Sequence, residues 1–148
     1  MYNNELYHYG IKGMKWGVRR YQNADGSLTP AGKKRQAKLE AKEHKKLQKK
    51  QTTWERDVND NWHNAYNNAA DKINTRMKSF NDEWEKKGAF KNTKSKTYKA
   101  YTKAYCDMWN DIYVKELDSM FGKGPIDTGR QWCERVPMFM NYDDIDWD

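Results

Sequence analysis

The chain has 148 residues, enough for one domain or at most two small ones. Leu, Ile, Val and Phe number only 18 together, close to the composition of disordered chains, but seven Trp and ten Tyr add large side chains, so any core must be small and aromatic. The net charge is +7 and 33% of residues are charged; no stretch approaches the ~18 apolar residues of a membrane span, which excludes an integral membrane helix.

Residues 1–32 form an irregular first zone. Five of the nine glycines lie here, interleaved with Tyr7, Tyr9, Trp16 and Tyr21, and no helical or strand period is sustained. Met1–Gly10 is polar and lacks an apolar central run, so no secretory leader is expected. Asp25-Gly26 signals a turn, because Gly accepts positive φ, and residues 20–23 and 27–29 can flank it as a very short hairpin. Thr29-Pro30 reads as a helix start, with Thr29 as N-cap and Pro30 at the first helical position.

Residues 33–51 are rich in good helix formers and nearly devoid of apolar anchors, with Leu39 and Leu47 alone. Nine Lys/Arg stand against Glu40 and Glu43 between Lys33 and Lys50, so this one segment equals the whole net charge and the remainder is neutral. A solvated basic helix is expected. Its positives at Lys34, Lys38, Lys42, Lys45 and Lys49 share helical spacing and form one stripe. Two readings stay open for it: a plain connector, or a sequence-blind nucleic-acid contact, since base-reading aromatics are missing.

From Thr52 the pattern changes. Trp54, Val58, Trp62, Tyr66, Ala69, Ile73, Met77, Phe80 and Trp84 recur at a mean spacing of about 3.75 residues, the mark of an amphipathic helix with an aromatic seam. Gly88 should close it. Ser95–Phe121 carries a second stripe through Tyr98, Tyr101, Tyr105, Met108, Trp109, Ile112, Tyr113, Leu117, Met120 and Phe121, stopped by Gly122-Lys123-Gly124-Pro125. Two such seams bury against each other most simply as an antiparallel helical hairpin. A short third helix is predicted over Asp127–Val136, with Trp132 and Val136 on the pair, and an extended acidic tail over 137–148. The predicted fold is therefore all-α, divided as 1–32 irregular segment, 33–51 basic connector, 52–136 hairpin domain and 137–148 tail.

Chemistry finds little foothold. Only His8, His44 and His63 are available as bases. Cys106 lies inside the second apolar stripe and reads as a buried, inert thiol, and Cys133 is read the same way. Two cysteines make no disulfide scaffold, which favours a reducing setting. Asp57, Asn59 and Asn61 mimic the start of a calcium loop, but Trp62 replaces the required Gly and Asn68 the closing Glu. Gly10, Gly13 and Gly17 lack the strand and the Lys-Ser/Thr ending of a phosphate loop. No catalytic residue, metal site or cofactor is assigned, and an enzyme is the weakest reading.

Tyr7-His8-Tyr9-Gly10-Ile11-Lys12-Gly13-Met14-Lys15-Trp16-Gly17-Val18-Arg19-Arg20-Tyr21, continued through Asp25-Gly26-Ser27-Leu28-Thr29-Pro30 to Arg35, resembles a module of tailed bacteriophages of Gram-positive hosts. In that family it is a short segment attached to minor head or head-morphogenesis proteins, or placed at the front of small separate proteins. The resemblance covers residues 7–35, and the helical remainder is only loosely similar to other phage proteins. It implies a virion or capsid-assembly context, in the virion or the host cytoplasm, and no reaction. The implied partner is a phage head or other virion protein; self-association stays open, and no membrane contact is expected. The residues themselves agree in kind with docking. Tyr7, Tyr9, Trp16 and Tyr21 are aromatic anchors, Arg19 and Arg20 charge-assisted donors, and His8, Lys12 and Met14 complete the candidate set. The competing reading is a cap packed on the protein's own helices. Three functions remain distinct at this stage: a docking structural protein, a nucleic-acid-associated protein packaged in the head, and a phage effector against host defence.

Overall fold

The computed structural model describes residues 21–23 and 25–145. The chain divides into two compact units, Met1–Lys46 and Leu47–Asp148, and the boundary falls inside a helix. That helix, α1, runs Pro30–Lys86 without a break, so the predicted connector and first seam are one element. Nothing in the sequence between them demands an interruption: Gln48–Thr53 contains neither Gly nor Pro. The second long helix, α2, spans Lys96–Phe121.

In the first unit the start of α1 is built as its sequence suggests. Thr29 Oγ1 accepts from Gly32 N at 3.1 Å, and its carbonyl accepts from Lys33 N at 2.9 Å. Gly26 takes φ 85° and its N–H reaches Asn23 O at 3.0 Å, while Gln22 and Leu28 form an antiparallel bridge. The Asp25 carboxyl accepts from Ser27 N and Oγ, which holds its pKa below the usual value. This turn folds back on the helix: Thr29 N donates to Tyr21 O at 3.1 Å, and Arg35 lies 4.7 Å above the Tyr21 ring. Gly32 is required there, since a Cβ would sit 2.2 Å from the Tyr21 carbonyl oxygen. Gly32→Ala should therefore unseat the turn, speeding hydrogen exchange of the Thr29 amide at least about tenfold. Unchanged protection at Thr29 would mean the turn does not rest on this approach.

The second unit is an antiparallel pair. Phe80 meets Tyr101 at 5.5 Å near the connection, Tyr66 meets Trp109 at 5.2 Å midway, and Trp54 Nε1 donates to Phe121 O at 2.9 Å at the far end. The turn between helices uses Gly88 at φ 78°, a 3-10 turn at Ala89–Lys91, and Ser95 capping Tyr98 N at 3.0 Å. Burial follows both predicted stripes. Val58, Ala65, Ala69 and Ile73 of α1 face Trp109, Ile112, Tyr113 and Leu117 of α2, with Val136 closing the cluster. Ala65 and Ala69 are fully buried, which lets the large rings of α2 sit close to the α1 backbone. Met120, predicted in the stripe, is instead 41% exposed. Glu116 is buried within α2 and is paired with Lys72 of α1.

The C-terminal segment differs from expectation. The predicted helix over 127–136 shrinks to one 3-10 turn, Trp132–Glu134. Gly129 at φ 67° breaks any longer helix, and Asp127 Oδ1 accepts its N–H at 2.9 Å in a local turn. Trp132 and Val136 do pack on the pair. The stretch predicted as an extended acidic tail is anchored at its start: Trp109 Nε1 donates to Met138 O at 3.2 Å, and Tyr113 Oη to Pro137 O at 3.3 Å. Asn110 pairs both ways with Met140, donating to its carbonyl at 2.7 Å and accepting from its N–H at 2.9 Å. A second 3-10 turn follows at Tyr142–Asp144. Among the described residues no helix is long and apolar enough to cross a membrane.

Candidate interaction surfaces

Of the candidate docking set, Tyr7, His8, Tyr9, Lys12, Met14, Trp16, Arg19 and Arg20 lie outside the described residues. Tyr21, its last member, is half-buried, bound through its carbonyl to Thr29 and through its ring to Arg35. Tyr21 thus takes part in the local turn at the start of α1.

The basic candidates are all on α1 and all exposed. Lys34, Lys38, Lys42 and Lys45 belong to the first unit, and Lys49 lies just past its boundary. At 100° per residue, Lys34, Arg35, Lys38, Lys42, Lys45 and Lys46 fall within an arc of roughly 120°. Glu40 and Glu43 fall outside that arc, toward the opposite side. Glu40 is taken by Gln36 Nε2 at 2.8 Å. The ion pairs among the described residues involve Lys72, Lys87 and Lys103 only, so none of the lysines on this arc shares its charge with an acid.

The titratable groups elsewhere are structural. Glu83 is held below its usual pKa by its hydrogen bond and charge pairing with Lys87, at 2.6 Å on an exposed face. Burial raises the Cys106 thiol, with the Asp107 charge adding to it, so this cysteine is a poor nucleophile. Cys133 is exposed, which corrects its reading as a second buried thiol. The 3-10 turn explains it: Trp132 packs on the hairpin and donates to Asp118 Oδ1 at 2.7 Å, leaving the next side chain on the solvent side. His44 and His63 are exposed on α1. Among the described residues no group of three or more His, Cys, Asp or Glu is placed to hold a metal ion.

Three positions that matter escaped sequence reasoning: Ala65, fully buried yet outside the predicted stripe, and two amides. Gln51 is buried, and its Oε1 accepts from Ile126 N at 3.0 Å while its Nε2 donates to Glu55 at 2.7 Å. Asn110 holds Met140, as described above. A lone amide beside the stripe residues Trp109 and Ile112 was the available signal for Asn110; Gln51, inside a polar run, gave none.

Compared with known proteins, residues 1–23 match a family described only as one of unknown function (DUF7211). No curated protein and no solved structure matches the chain.

Proposed function

We propose that this is a non-enzymatic bacteriophage protein, structural or associated with capsid assembly, that attaches to a head or other virion protein through residues 7–35. The reading rests on the resemblance of that segment's near-continuous Gly-aromatic-basic motif, with its Trp16, Met14 and His8, to the phage head module. One further fact supports it: the core of the hairpin is assembled from residues 58–136, all inside the second unit.

The test is association during infection. Residues 1–35 fused to a fluorescent protein should co-purify with heads or proheads, and Trp16→Ala in the fusion should lose the association. An aromatic anchor of this kind is worth about 2 kcal/mol or more at a hot spot. A fusion that stays out of heads, together with a lowered melting temperature when residues 7–35 are deleted, would identify the segment as a cap and end the docking reading.

A further inference from the structure

We infer that the cationic arc of α1, from Lys34 to Lys46, is a binding surface for duplex DNA that ignores base sequence. The inference does not rest on the docking reading, although Lys34 and Arg35 are also the last two residues of segment 7–35. It rests on the geometry of the arc: six cations and no acid on one side of a regular helix, every one exposed, and its lysines without an ion-pair partner among the described residues.

Several physical points select the occupant. Along its axis the arc is about 18 Å long, a span over which B-form DNA presents on the order of ten phosphates. The major groove is about 12 Å wide and admits an α-helix. Lys34 and Lys45 lie at one edge of the arc and Arg35 and Lys46 at the other, so a helix in the groove meets both phosphate backbones at once. Single strands are bound by stacking on aromatic side chains, and the arc has none. Duplex RNA closes its major groove to a helix. A membrane surface needs an apolar face, and Leu39 is the sole large apolar residue between Lys33 and Lys46. Sequence blindness follows from the donors. Five of the six are lysines, point charges without the bidentate fork that reads guanine, and the one Arg is held over Tyr21.

The full-length protein should bind a random 24-base-pair duplex in fluorescence anisotropy at about 50 mM salt and weaken roughly 10²- to 10³-fold by about 200 mM, as four or five phosphate contacts require. Placement on the arc, rather than net charge, is tested by two variants that each remove two positive charges. Lys38→Gln/Lys42→Gln should weaken binding about tenfold or more, and Lys33→Gln/Lys50→Gln, off the arc, clearly less. All four positions are exposed, and an unchanged thermal melt for both variants certifies the comparison. Equal losses from the two pairs would overturn the arc, as would absence of binding at the lower salt. Tighter binding to a single strand of equal length, to poly-glutamate or to phosphatidylserine vesicles would overturn duplex DNA as its occupant and point to an extended strand, an acidic protein or a membrane instead.

Discussion

Tyr113→Ala should destabilise the hairpin unit by about 3–5 kcal/mol, the usual cost of removing a buried ring that cannot be replaced by collapse. Tyr113 has no exposed surface. Its ring contacts Tyr66 edge-on at 6.0 Å and Phe139 at 5.0 Å, and its hydroxyl anchors Pro137. The loss therefore touches both helices and the C-terminal segment together. In a unit of this size the melting temperature should fall on the order of 15 °C or more. Tyr113→Phe keeps the ring and removes one hydrogen bond, for about 1 kcal/mol. The same residue sets an alkaline limit. Burial, helped by the neighbouring Tyr66, pushes its phenol up to about 12 from an ordinary value of 10.0. The folded state thus favours the neutral phenol, so its contribution is complete below pH 10 and is lost as the pH climbs toward 12, at up to about 1.4 kcal/mol per pH unit. Tyr113→Phe should flatten that part of the pH dependence in urea unfolding. Tyr101, raised mainly by burial, adds a smaller contribution of the same sign. An alanine variant within about 1 kcal/mol of the wild type would show that the ring is not core.

Trp54→Ala should cost about 3 kcal/mol at the opposite end of the hairpin. Trp54 is less buried than Tyr113, but it holds more partners of different kinds. Its indole N–H satisfies the Phe121 carbonyl, one of the last-turn acceptors that α2 cannot satisfy internally. Its ring lies 5.9 Å from that of Trp132 and 5.2 Å from the Arg135 guanidinium. Gly124 passes so close that a Cβ there would stand 3.1 Å from the ring. Removing the indole takes its contacts from Gly124, Trp132 and Arg135, leaving the loop held by Gln51 at Ile126 and by Asp118 at Trp132. Trp54→Phe should restore most of the packing and leave a deficit of about 1–2 kcal/mol for the unpaired carbonyl. Chemical denaturation of the three proteins separates these terms. A Trp54→Ala variant as stable as Trp54→Phe would mean that the loop packs without the ring.

Periodicity made the hairpin legible. The stripe from Trp54 to Trp84 and that from Tyr98 to Phe121 each mark one helix face, and an aromatic core offers few other ways to bury them. Caps were legible for the same local reason: Thr29 and Gly88 act within three or four residues of themselves, and Ser95, where the second stripe begins, caps Tyr98 N in the same way. The errors arose where long-range partners decide. Met120 continues the second stripe by spacing, yet α1 offers it no cover at the end of the pair. The segment after Gly124 has no period of its own, and its course is set by Gln51, Trp109, Asn110 and Tyr113, residues distant in sequence. The candidate docking residues were legible only as a motif, and all but Tyr21 lie outside the described residues. For the basic helix, composition gave the charge, but only the exposure of the lysines from Lys34 to Lys46 and their lack of ion pairs among the described residues show that the charge is unshared.

The anchoring of residues 137–140 bears on how this protein tolerates change. Trp109, Asn110 and Tyr113 hold the segment by its main chain: the carbonyls of Pro137, Met138 and Met140 and the amide of Met140. Main-chain groups are common to all residues, so substitution at Met138, which is 51% exposed, by a residue that accepts its φ of 74° leaves these bonds available. Its backbone at φ 74° even suits Gly better than Met. The selective burden therefore falls on the helix and not on the segment it holds. Across variants of this protein, the three α2 positions should stay fixed while position 138 drifts, an unequal pace of change across a single contact.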